Sequence, residues 1–164
     1  MELNIRRAID TDAAAILNIF NQSSSAIANT LQMPYQGVEI WQERIRSKTI
    51  VTLVADIEDQ VVGVIGLHLN QHPRLRHTAG FGMAVTEQYR GRGIGRALVG
   101  AVIDLAENWH NIRRIEIEAY AHNAAALALY ESMGFQREGL KRQATFTNGQ
   151  FEDNVLLARL RPTP

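Results

Sequence analysis

The sequence predicts an α/β fold on a mostly antiparallel sheet, and three observations predict it. Runs rich in β-branched residues, such as TIVTLVADI and QVVGVIGLHLN, alternate with segments whose apolar residues recur at helical spacing. Strand-like runs are joined by short polar turns that suit antiparallel hairpins. One strand–helix–strand succession, residues 77–120, is long enough for a parallel crossover.

The elements follow in order. ELNIRRA, Glu2 to Ala8, alternates as a first strand. DTDAAAILNIFNQ opens a helix, with Asp10 or Thr11 placed to cap its first free N–H groups. SSSAIANTLQMPYQ is a polar, irregular segment of loop length, and loops of that size are often functional. GVEIWQERIRSK is a second helix with Val38, Trp41 and Ile45 on one face. TIVTLVADI and QVVGVIGLHLN form a hairpin about EDQ. HTAGFGMAV is a fourth strand whose Gly80 and Gly82 point to a bulge or a close backbone approach. After it, Ile94, Leu98, Val102, Leu105 and Trp109 share a helical face. RRIEIEAY is the fifth strand, and NAAALALYESMGF is a short helix closed by Gly134. GLKRQATFT and QFEDNVLLARL flank Asn148-Gly149, the strongest short hairpin signal in the chain. The order is β-α-α-β-β-β-α-β-α-β-β, about seven strands and four helices. The sequence shows no repeat, low-complexity tract or linker, so residues 1–164 are expected to form one domain.

Composition narrows the function. The 164 residues are enough for one domain with a hydrophobic core. Seventeen basic and seventeen acidic side chains cancel, which argues against general nucleic-acid binding. There are no cysteines, so disulfides, a cysteine nucleophile and thiolate metal sites are excluded together. His68, His72, His110 and His122 show no metal-ligand spacing, and no metal is expected. The start lacks the apolar run of a signal peptide, and no stretch approaches the roughly 18 apolar residues of a membrane span. The expected compartment is the cytoplasm, with no membrane partner.

The stretch EQYRGRGIGRALV, Glu87 to Val99, carries three glycines and three arginines between Arg90 and Arg96. It lies where a strand ends and a helix begins. The first N–H groups of a helix have no internal partner, and the helix dipole is positive there. Glycines allow positive φ and close approach of a ligand, so the turn suits a phosphate or pyrophosphate. The arginines add charge-assisted bonds. The P-loop pattern is absent because no Gly-Lys-Ser/Thr follows, and the dinucleotide fingerprint fits in neither frame. A solvated basic surface turn stays open on this evidence alone. A second constellation follows in HNAAALALYESMGF: Asn123 opens the helix, and Tyr130 lies seven residues on, about two turns later. A tyrosine hydroxyl donates a proton and an asparagine pairs with an amide. Read alone, the two are equally an N-cap and a core aromatic.

Together, RGRGIG (Arg90 to Gly95) and NAAALALYESMGF resemble the two motifs of the GCN5-related N-acetyltransferase (GNAT) family, in the family's order and spacing. The resemblance covers the whole chain. It implies the GNAT fold, with a mixed, mostly antiparallel twisted sheet whose fourth and fifth strands splay apart. It implies acetyl-CoA as the cofactor, with Arg90, Gly91, Arg92, Gly93, Ile94, Gly95 and Arg96 around the pyrophosphate. Met83, Ala84 and Val85 would pair with the pantetheine arm, one of their N–H groups polarising the thioester carbonyl. Asn123, with Ala126 beside it, would bond the arm, and Tyr130 would be the general acid for the departing thiolate.

The acceptor implied is a primary amine of a small molecule, attacking directly in a ternary complex. The base stays open: Glu118, which alternates with Ile117 and Ala119 near the splay, is the first choice, acting directly or through water, and His77 on the fourth strand, beside the substrate, is the other; each is equally a structural carboxylate or a surface histidine. NTLQMPYQGVEIWQERI, QHPRLRHTAGFGMAV and TNGQFEDN resemble bacterial family members that acetylate the α-amine of free L-amino acids. That implies Arg44, or a polar group from Asn29, Thr30 and Gln32, on the substrate carboxylate. Met33, Tyr35 and Trp41 would line the side-chain pocket, though Trp41 is equally helix-packing core. A polyamine, a ribosomal-protein N-terminus and a non-catalytic CoA-binding module are the alternatives. Family members often form dimers, which leaves a homodimer open.

Overall fold

The computed structural model describes residues 2–21 and 30–163. Its elements are β1 (Leu3–Arg7), α1 (Ala13–Asn21), α2 (Val38–Arg46), β2 (Ile50–Ile57), β3 (Gln60–Leu69), β4 (Thr78–Val85), α3 (Ile94–Asp104), β5 (Arg114–Tyr120), α4 (Ala124–Ser132), β6 (Gln136–Thr147) and β7 (Gln150–Leu160). The strands form one sheet in the order β1-β2-β3-β4-β5-β7-β6. Only β4 and β5 are parallel; every other neighbour is antiparallel.

Local chemistry explains the joints. Both expected hairpins close through two residues of positive φ: Glu58 and Asp59 (51° and 64°), and Asn148 and Gly149 (48° and 79°). Such turns match the right-handed twist of the strands they join. Gln60, expected in the first turn, instead pairs with Ile57 as the first residue of β3.

The entry to α1 differs from the expected cap. The chain first makes a 3₁₀ turn, Asp10–Asp12. Asp12 reaches back to accept the Ile9 N–H (2.8 Å), which caps the turn in place of Asp10 or Thr11. The same carboxylate accepts two bonds from Arg6, at 2.8 and 3.0 Å, and Arg6 Nε also donates to Asp56. Asp10 instead pairs with Arg46 of α2.

The helices cover both faces of the sheet. On one face Leu98, Val102, Leu127 and Phe135 pack with Ile65, Leu67, Ile115 and Leu157. On the other, Ile16, Phe20, Trp41 and Ile45 pack against Val54, Val64 and Ala84. Phe20 and Trp41 stack with ring centroids 5.3 Å apart. Trp109 departs from the expected apolar face of α3 and is 76% exposed. The helix widens into a π turn at Leu105–Trp109. The extra residue in that turn rotates Trp109 outward, and Ala106 and Ile112 take the buried positions.

Burial pushes the Asp12 carboxyl up, but the Arg6 guanidinium and the Ile9 N–H outweigh it and hold the carboxyl below its usual range. Its contribution is therefore present at neutral pH and is lost as pH falls through the depressed pKa. We expect Asp12→Asn to cost about 1.5–3 kcal/mol at pH 7, the range for hydrogen bonds to charged groups. Denaturant unfolding should show the gap from the parent narrowing below about pH 4, where an unfolded-state aspartate protonates. A gap independent of pH would mean that the ionised carboxylate is not what stabilises this corner.

Candidate active site

The sheet opens where β4 meets β5. The two strands share only the pairs Thr78–Arg114 and Ala79–Ile115 before parting. Gly80 stands at the fork, where a Cβ would lie 2.7 Å from the Glu116 carbonyl oxygen. No side chain fits there without moving backbone. The alternation of β4 then decides which backbone groups face the gap. Thr86 N–H donates to Val62 (2.8 Å) and the Thr78 carbonyl accepts from Asn70 (3.3 Å). Both therefore point to β3, as do Gly80, Gly82 and Ala84 between them, while Phe81, Met83 and Val85 point toward β5. Of the three residues expected on the pantetheine arm, Met83 and Val85 thus present backbone to the gap, whereas Ala84 turns its backbone to β3. The Val85 carbonyl accepts from Arg90 Nε (3.3 Å).

The glycine-rich turn lies beyond the end of β4. Gly91 and Gly93 have φ of 74° and 81°. A Cβ on either would meet nothing within 4 Å, so the turn is an open concave backbone surface. Gly93 is the N-cap of α3, with no side-chain cap on the first N–H groups. The first intrahelical bond runs from Ala97 N–H to the Gly93 carbonyl, 3.0 Å. The earlier N–H groups, of Ile94, Gly95 and Arg96, lack helical partners. Arg92 lies over the Tyr89 ring at 5.0 Å, and Arg96 donates to Ser132 Oγ at 2.7 Å. Neither forms an ion pair among the described residues. An open cradle, unspent N–H groups and nearby guanidinium groups fit a CoA pyrophosphate.

A cavity of roughly 460 Å³ passes through the gap from Tyr130 on the α3–α4 face to Arg44 on the α1–α2 face. Its wall toward α2 is cationic. Arg44 lies over the Trp41 ring at 4.6 Å and donates to Gln32 Oε1 at 3.0 Å. Arg44 has no carboxylate partner among the described residues, and burial lowers its pKa. The opposite wall, β5, carries Glu116 and Glu118. Glu116 pairs with Arg114 (3.2 Å) and Glu118 with Lys141 (3.0 Å). Tyr120 Oη closes the rim by donating to the Thr30 carbonyl, 3.1 Å.

Tyr130 is buried with its ring edge-on to Phe81 at 5.7 Å. Its hydroxyl has no hydrogen-bond partner among the described residues, and burial pushes its pKa up to about 12. Asn123 caps α4, its Oδ1 accepting the Ala126 N–H at 3.2 Å. The cap role is therefore real, and only the amide NH₂ is left for a ligand.

The structure brings Thr30, Gln32, Trp41, Arg44, Met83, Glu118 and Tyr130 to one cavity. It leaves other expected residues outside. His77 precedes β4, is exposed and does not line the cavity; its carbonyl accepts the N–H groups of Arg113 and Arg114. The cavity histidine is His68 of β3, whose pKa is lowered by burial and by the charge of Arg44. Tyr35, fully exposed at φ 61°, and the exposed Met33 do not line it. Asn29 lies outside the described residues. Sequence reasoning missed Thr52, Gly66 and His68. The period-2 alternation that puts Gly66 and His68 on one face with Val64 is the signal that could have found the last two.

Comparisons with known proteins agree with this fold. The family described as Acetyltransferase (GNAT) family matches residues 13–135. The L-amino acid N-acetyltransferase AaaT of Escherichia coli K12 is 35% identical over 98% of this chain and 99% of its own. A ribosomal-protein-alanine N-acetyltransferase from Brucella melitensis superposes with a TM-score of 0.85 at 28% identity, covering 96% of this chain and 99% of its own. YncA of Salmonella typhimurium, solved with its cofactor acetyl-CoA, shares the fold with a TM-score of 0.84 at 23% identity, covering 96% and 93%.

Gly93→Val places a β-branched side chain at positive φ and fills the open cradle. We expect coenzyme A binding, followed by titration calorimetry, to weaken by about tenfold or more, with the fold retained by circular dichroism. Unchanged affinity would place the anion site elsewhere.

Proposed function

The chain belongs to the acetyltransferase (GNAT) family, and we propose that its acceptor is the α-amine of a free L-amino acid. It is an acetyl-CoA-dependent N-acetyltransferase. The observation that carries the acceptor reading is the polarity of the cavity: Arg44 on one wall, Glu116 and Glu118 on the other. A zwitterion has the complementary polarity, its carboxylate toward Arg44 and its ammonium toward β5. Gln32 steadies Arg44 from the side, and Thr30 lies beside it on the rim. Phe20, Trp41 and Val64 supply apolar wall for a side chain. A polyamine would bring a second cation toward Arg44, and a peptide N-terminus would leave Arg44 without its anion.

Bound acetyl-CoA supplies an acetyl thioester, an acyl group already activated toward an amine. The residues of this chain do the rest. The turn from Arg90 to Arg96 holds the pyrophosphate. The N–H groups of Met83 and Val85 face the gap, ready-made donors to a carbonyl oxygen that gains negative charge. Asn123 offers its amide NH₂ to the arm. Glu118 accepts the proton of the ammonium, directly or through water, so that the free amine attacks. Tyr130 holds a proton at Oη for the departing sulfur. Its raised pKa keeps that proton in place across the whole working range.

Thiol release from acetyl-CoA should be fastest with free L-amino acids in a panel that also contains spermidine and peptides. Preference for spermidine or a peptide would overturn the acceptor reading. Tyr130→Phe should lower kcat about 10²-fold or more while leaving coenzyme A affinity nearly unchanged; unaltered turnover would remove Tyr130 from catalysis. In the parent enzyme kcat at saturating amino acid should rise to a plateau with pH as the bound ammonium gives up its proton. It should not fall again near pH 10, where an ordinary tyrosine titrates, because Tyr130 is still protonated there. A decline at that pH that is absent from Tyr130→Phe would contradict the burial argument.

A further inference from the structure

The floor of the cavity is bare sheet. Across β2, β3 and β4, one row on the α1–α2 face reads Thr52, Gly66, Gly82, because Thr52 pairs with Gly66 and Gly66 with Gly82. The flanking rows carry larger groups: Val54, Val64 and Ala84 on one side, Ile50 and His68 on the other. The two glycines leave an unfilled hollow in the row that Thr52 begins. A Cβ on Gly82 would meet nothing within 4 Å. One on Gly66 would make only ordinary contacts, 3.6 Å to Ile50 and 3.7 Å to His68. Packing therefore does not require glycine at either place.

Two buried polar atoms of this cavity lack partners. Thr52 is 2% exposed and Trp41 6%, yet neither Thr52 Oγ1 nor Trp41 Nε1 has a hydrogen-bond partner among the described residues. A buried hydroxyl or indole N–H without a partner carries a desolvation cost and is uncommon. Both residues line the same cavity as Arg44, whose guanidinium also lacks a carboxylate there. Two donors and a cation about one hollow describe a seat for a small anion.

Resting on the amino-acid reading above, we propose that Thr52 is a specificity-determining residue: its hydroxyl donates to the acceptor's carboxylate, which lies in the hollow left by Gly66 and is paired to Arg44. The seat selects acceptors that carry a carboxylate next to the amine and disfavours amides, esters and plain amines of the same side chain.

Thr52→Val keeps the β-branched shape and removes only the hydroxyl. KM should be measured for a free L-amino acid and for its amide, which has the same side chain and no carboxylate. The parent should prefer the acid. Thr52→Val should raise KM for the acid about tenfold, the worth of one hydrogen bond to a charged group, and leave KM for the amide and for acetyl-CoA nearly unchanged. Thr52→Ser should restore the acid preference. Thr52→Val should also unfold at a temperature no lower than the parent, since an unpartnered buried hydroxyl has gone. A merely structural threonine would lower stability and move both acceptors together. An acid-to-amide preference unchanged in Thr52→Val overturns the proposal while the amino-acid reading stands. A parent that turns over spermidine or a peptide and no free amino acid overturns both.

Discussion

β4 and β5 run together for two residue pairs and then diverge, and Gly80 is where they do so. The proposed site depends on that divergence. A parallel pair that continued would bond the inner edges of both strands and seal the sheet. Divergence leaves the backbone of Phe81, Met83 and Val85 facing open space, and it turns two covered faces into one through-passage. The cost is a run of backbone without sheet partners, which a ligand of extended, amide-bearing shape can satisfy. The missing Cβ at Gly80 lets the β4 backbone lie against the Glu116 carbonyl at the last point of contact.

The two faces of the sheet then take different tasks. On the α3–α4 face the turn at Gly91 and Gly93 aims a helix N-terminus outward, and Tyr130 closes the inner end. On the α1–α2 face the side chains are arranged by charge, with Arg44 set against the β5 carboxylates across a floor that is glycine at 66 and 82. In the proposed reaction the partners approach from opposite sides and meet at a fork that neither helical layer obstructs. Apolar packing fixes the walls: Phe20 and Trp41 stack in the core, and the same Trp41 ring supports Arg44.

Much of the fold was legible in the sequence because it is locally encoded. Asn148-Gly149 fixes a hairpin by its own φ preference, and the spacing of Ile94, Leu98 and Val102 fixes a helical face. The glycine-rich turn was legible for the same reason, since its glycines and the helix after it are contiguous. The acceptor side was not. His77 and His68 are both plausible from composition, and only the register of β3 against β4 puts His68, and not His77, into the cavity. Thr52 and Gly66 lie on different strands and have no local signature; their partnership exists only across the ladder. Tyr35 and Met33 belong to a segment whose path is set by tertiary contacts. The π turn that swings Trp109 outward is one inserted residue, which periodicity cannot reveal.

The proposed reaction requires that the gap between β4 and β5 hold donor and acceptor together, with the acceptor's carboxylate on the Arg44 side. A crystal structure of the protein with coenzyme A and a free L-amino acid tests it most directly. The pantetheine arm should lie along Met83 and Val85, the carboxylate between Arg44 and Thr52, and the α-nitrogen toward β5 near the sulfur. An amino acid bound outside this cavity, or seated with its carboxylate against Glu116 and Glu118, would contradict it.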